Sequence, residues 1–146
     1  MFKHILLATD GSAASDHAAQ IAADMARIHG ATLTALYVVD PYPYLGIGET
    51  NPLGFQSYMA AAHNQATQAH AKVADLCSQG DKPVTLQTRT SEDVTASVGI
   101  VDAATNEGAD LIVMGSHGRT GLVRLMLGSV ATKVLAESPV PVLIVR

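Results

Sequence analysis

The chain has 146 residues, 48% of them hydrophobic and 15% charged, with a formal net charge of −4. This describes a globular chain rather than a disordered one, and the acidic balance argues against nucleic acid as a partner, since phosphate backbones recruit basic surfaces. Cys77 is the single cysteine, which excludes an intrachain disulfide or a cysteine metal cluster. The length predicts one domain over residues 1–146, and no apolar stretch reaches the ~20 residues needed to cross a bilayer. With no leader pattern legible, the expectation is a cytoplasmic protein that is not membrane-embedded.

The first apolar run, residues 5–9, is stopped by Asp10-Gly11 and reads as a strand buried on both faces. Ser12 can cap the helix that follows, in which Ile21, Met25 and Ile28 recur at helical spacing before Gly30 closes it. Residues 33–39 predict a second strand. From Pro41 to Phe55 the chain is irregular and rich in proline, glycine and tyrosine, at the end of a strand where binding loops are placed. A helix rich in Ala, Gln and His follows over about 54–78, then a third strand over 84–89. Ser91-Glu92-Asp93 offers cap chemistry for a helix through Ala104, which Gly108 closes. A fourth strand covers 111–114, a last helix runs through 130–136, and a fifth strand runs from Val140 to Val145. This alternation predicts a five-stranded, mainly parallel, Rossmann-like α/β sheet with helices on both faces and strand order 3-2-1-4-5.

The most informative feature is a comb of small residues after the fourth strand: Gly115-Ser116-His117-Gly118-Arg119-Thr120-Gly121, then Gly128-Ser129. Glycine lets a backbone approach an anion, and the following helix presents unpaired N–H groups and a positive dipole end. The comb is not a Walker A loop, because Leu122 follows Gly121, and it is not the dinucleotide fingerprint, because two residues separate Gly115 from Gly118.

The spacing Gly115-x2-Gly118-x9-Gly128-Ser129 resembles the ATP-binding signature of the universal stress protein family. The resemblance spans the chain, through Asp10-Gly11-Ser12, the run Met114 to Arg119, and the closing Ser138-Pro139-Val140-Pro141-Val142. It implies that ATP is bound with Mg²⁺ or Mn²⁺. Gly115 would abut the ribose, while Gly118, Arg119, Gly128, Ser129 and Val130 would wrap the phosphates. The Ala8 and Thr9 region and Val38 would surround the adenine. Met114, Ser116 and His117 complete the expected set, with His117 contacting nucleotide or supporting the loop. Asp10 would stand near the ribose or a phosphate-bound metal, or would only cap a turn to Ser12. Ser129 could serve its helix as N-cap or a phosphate oxygen. Arg119 and Arg124 could neutralise phosphate or extend into solvent.

Among the remaining polar residues, His63 and His70 are expected on a solvated helix face, while Met25, Met59 and Met126 are expected in packing. The final strand carries apolar residues on both faces, and the resemblance implies a homodimer through it, or a higher oligomer. Pro141 removes a ladder donor, as suits an edge. The expected function is nucleotide-dependent regulation in a stress response, with a membrane transporter as one candidate partner. A slow ATPase or nucleotidyl-transfer enzyme on the same fold is the alternative. A flavoprotein-like adenine binder is a third reading, weakened by the lack of a second domain.

Overall fold

Ile5, Leu6 and Leu7 have no exposed surface, which consecutive strand residues achieve only when both faces of the sheet are covered. They lie in β1 (His4–Ala8) of a computed structural model that describes residues 1–41, 52–118 and 126–146. The other elements follow in alternation: α1 (Ala13–His29), β2 (Thr32–Val38), α2 (Pro52–Ser78), β3 (Leu86–Ser91), α3 (Ala96–Asn106), β4 (Leu111–Gly115), α4 (Ser129–Glu137) and β5 (Val142–Val145). Every strand pair is parallel and the order is β3-β2-β1-β4-β5. Leu6 stands in register between Thr34 and Ile112, at the centre of the sheet.

The period of two along each strand divides the interior into two cores. Ile5, Leu7, Leu33, Ala35 and Val113 pack against α1 and α2, where Ala22, Val73 and Cys77 meet them. Leu6, Leu36, Ile112 and Met114 face the other way, onto Ile100 of α3 and Val134 of α4. Helices therefore cover both faces, as the sequence pattern predicts. Among the described residues no helix is long and apolar enough to cross a membrane.

Helix α1 lies where its signals place it, with the Ser12 hydroxyl accepting from Ser15 N and Gly30 in the left-handed conformation. Its buried stripe, however, is Ala18, Ala19, Ala22, Ala23 and Ala26, while Ile28 is 79% exposed. The small residues set the sheet-facing side of this helix, and the larger aliphatics flank it.

Several local expectations need correction. Strand β3 begins two residues later than 84–89, because Val84 N donates to Cys77 O and finishes the turn after α2, and Leu86 is the first residue to pair with Leu33. Ser91 belongs to that strand and Asp93 takes a positive φ of 59°, so neither caps α3; Thr95 does, without a side-chain bond. His70 is half-buried rather than solvated. Burial pulls its pKa below the ordinary value, against an opposing pull from the backbone of Arg89 and Ala35. Met126 is 67% exposed and takes no part in the core.

Asp110 fastens the amino ends of β1 and β4. Its Oδ2 accepts from Lys3 N at 2.8 Å and its Oδ1 from His4 N at 3.2 Å. Burial disfavours the charge, yet the amides of Lys3 and His4 outweigh it and hold the carboxyl below its ordinary value. A carboxyl with a depressed folded pKa gives its full stabilisation above the unfolded pKa and loses it as pH falls through the folded one. In urea unfolding, Asp110→Ala should be less stable than the unaltered protein at neutral pH, with the gap narrowing in strong acid. A gap independent of pH would contradict this account.

Candidate functional site

The neighbours β1 and β4 are where the strand order reverses direction, and open α/β sheets form a crevice at the carboxyl ends of such a pair. A cavity of about 520 Å³ lies there. It is lined by Ala8, Thr9 and Asp10 after β1, by residues of β2 up to Asp40, by Met114 to Gly118 at the end of β4, and by Gly128 to Ala131 at the start of α4.

The described glycines of the comb, Gly115, Gly118 and Gly128, serve by lacking a Cβ rather than by backbone freedom. None of Gly115, Gly118 or Gly128 has a positive φ, and Gly128 sits at φ −62°. A Cβ on Gly128 would meet Ser116 O at 3.0 Å and His117 Cα at 3.2 Å, both backbone atoms. On Gly118 it would meet Asp10 Oδ2 at 3.0 Å, a side-chain tip. Gly128 N donates to Ser116 O at 2.7 Å, so the two halves of the comb are tied directly to each other at the cavity wall. Ser116 N in turn donates to Val145 O at 2.9 Å, continuing the β4–β5 ladder into the loop.

Gly128, not Ser129, is the N-cap of α4, which corrects the capping expectation. Glycine brings no side-chain acceptor, so the first turn of α4 has no side-chain cap. Ser129, Val130 and Ala131, the first helical residues, line the cavity with this positive dipole end. The start of α1 contrasts with it, being satisfied by Ser12.

Opposite that end, Asp10 Oδ1 accepts from Ser12 N at 2.9 Å, making the turn that one reading of the sequence anticipates. The carboxylate nevertheless lines the cavity. Thr9 and Ser15 are buried, their hydroxyls 3.2 Å apart, and Thr9 Oγ1 also accepts from Gly11 N at 3.3 Å. The Ser116 hydroxyl and His117 Nδ1 are 3.0 Å apart, so His117 supports its own loop. Among the described residues no group of three or more His, Cys, Asp or Glu side chains could hold a metal ion.

The far half of the cavity is apolar: Leu36, Val38 and Val39 of the β2 end, Ala61 and Ala62 of α2, and Ala96 and Ile100 of α3. Tyr58 closes this side with its hydroxyl donating to Asp40 O. The site is thus divided into an apolar compartment and a compartment of backbone amides and hydroxyls.

Of the residues singled out in the sequence, Ala8, Thr9, Asp10, Val38, Met114, Gly115, Ser116, His117, Gly118, Gly128, Ser129 and Val130 all line this one cavity. Arg119 and Arg124 lie outside the described residues, as do residues 42–51 of the irregular stretch. The sequence reading missed the wall made by α2. Its signal is there in retrospect, since Tyr58, Ala61, Ala62 and Gln65 recur at i, i+3, i+4 and i+7 and share one helical face.

The two glycine contacts predict different outcomes. Gly128→Ala should lower stability by about 1–3 kcal/mol, because backbone must move. Gly118→Ala should change it by less than about 1 kcal/mol, because only the Asp10 carboxylate must turn. Thermal unfolding of both variants checks this, and equal losses would contradict it.

Comparison with known proteins agrees with this architecture. The model of the Universal stress protein family matches residues 1–146. A universal stress protein of Thermus aquaticus is 39% identical over 148 aligned residues, covering 100% of this chain and 100% of that protein. The solved structure of UspA from Lactobacillus plantarum has a TM-score of 0.80 at 28% identity, covering 99% of this chain and 97% of that one. A universal stress protein from Archaeoglobus fulgidus, solved in complex with dAMP, has a TM-score of 0.68 at 19% identity, covering 100% and 98%. With its whole length matched, this chain belongs to the universal stress protein family.

Proposed function

We propose that the divided cavity binds an adenine nucleotide, ATP with Mg²⁺ or Mn²⁺, and that the protein is a nucleotide-dependent regulator. The observation that carries this reading is the pairing of an apolar slot with an uncapped helix start across one cavity. A planar base needs the first, and an anionic phosphate chain needs the second. The residues fit such a ligand: Gly118 and Gly128 line the cavity and put no side chain into it, so a phosphate can approach the backbone there.

In this reading the base lies among Ala8, Val38 and Ile100, and the ribose passes Gly115. Amides of Gly118, Ser129 and Val130 meet the phosphates, with Arg119 as a further candidate. Asp10 faces a metal held on the phosphates. The fold that holds dAMP in the A. fulgidus protein is the fold present here. A regulatory effect requires that the ligand favour one state over another. The route is short, because α4 begins at the phosphate compartment and packs on β5, the edge strand. We place a twofold contact between copies on the segment from Val140 to Val145, which contains β5 and the two residues before it.

Two measurements test the reading. Once any co-purifying ligand is removed, ATP–Mg²⁺ at about 100 times its dissociation constant should stabilise the protein by about 2.7 kcal/mol. No thermal shift with any adenine nucleotide would overturn it. Ile144→Asp should weaken self-association in sedimentation, and a variant that stays fully dimeric would remove the contact from β5.

A further inference from the structure

The apolar compartment contains one device that the nucleotide reading leaves unused. Tyr37, in β2, is 3% exposed, and its ring packs among Ala62, Ala66 and Ala69 of α2. Its hydroxyl donates to Gln65 Oε1 at 3.2 Å. Both residues line the cavity. In this bond the amide oxygen of Gln65 accepts, which leaves its NH₂ group to donate elsewhere.

The neighbours of that amide on the helical face, Ala61 and Ala62, are small and line the cavity, as do Ala96 and Ile100 of α3. A fixed donor on the wall of an apolar slot recognises a flat heterocycle that carries an acceptor at its edge. A free glutamine would have to lose rotamer entropy on binding, and the tyrosine bond removes much of that loss beforehand. We propose that Gln65 is a specificity-determining residue, donating through its amide NH₂ to a ring nitrogen of a purine, with Tyr37 as the positioning residue that holds the amide. This deepens the nucleotide reading and rests on it. It also names the ligand's chemical class by its edge: a purine ring nitrogen is an acceptor, and replacing it with C–H abolishes the bond.

The experiment uses the full chain and measures the affinity of ATP and of its 1-deaza, 3-deaza and 7-deaza analogues by calorimetry. Gln65→Ala should weaken ATP binding about five- to tenfold, as expected for one neutral hydrogen bond lost. One deaza analogue should bind the unaltered protein more weakly by a similar factor and lose nothing further in Gln65→Ala. Tyr37→Phe should weaken ATP binding less than Gln65→Ala does, and should add nothing in the Gln65→Ala background. Gln65→Met, which keeps the volume without the amide, replaces Gln65→Ala if that variant fails to fold. ATP binding by Gln65→Ala at the unaltered affinity overturns the proposal, and so does an undiminished loss with all three analogues. If the unaltered protein binds no nucleotide, the reading of the whole site falls with it. If it binds while Gln65 proves indifferent, only the role of Gln65 falls.

Discussion

The parallel pairing of β1 with β4 is the constraint on which the rest depends. Two strands distant in sequence lie side by side, and the connections leaving them diverge to opposite faces of the sheet. Among the described residues, those that follow the two strands line the space between these departures. The Asp110 carboxylate fixes the amino ends of the pair, and the carboxyl ends open into the cavity. Three buried aliphatics in a row on β1 follow from the same position, because a central strand has no solvent face to spare.

The chemistry of the cavity is mostly backbone. Its polar half is built from turns after strands, and the two ends of the β4–α4 connection are joined by the bond from Gly128 N to Ser116 O. Side chains there, such as Thr9, Ser15 and Ser116, bond largely to one another and to the loops. The result is a preorganised set of donors at a helix start, suited to holding an anion in place. Preorganisation of this kind lowers the entropic cost of binding.

Fold class and strand order were legible because alternating apolar runs and turn residues carry their own periods, clearest in residues 5–9 and in Gly30. Most of the site was legible because residues that follow a strand stay close in sequence, as Gly115 to Gly118 do. What escaped the reading depends on long-range packing. The α2 wall, with Tyr58 and Gln65, reaches the cavity only after α2 docks on the sheet, and the i, i+3, i+4, i+7 spacing marks one helical face without saying what that face meets. The same holds for β3, whose first paired residue is set by Leu33 on another strand rather than by its own apolar content. In α1 the conspicuous aliphatics misdirect, since alanines make the closest approach to the sheet.

The bond from Ser116 N to Val145 O gives the loop a dependence on the margin of the sheet. The turn that begins the anion-holding half hangs on β5, the outermost strand, so fraying at that margin reaches the pocket directly. Loss of β5 would leave the motif in place without the scaffold that aims it.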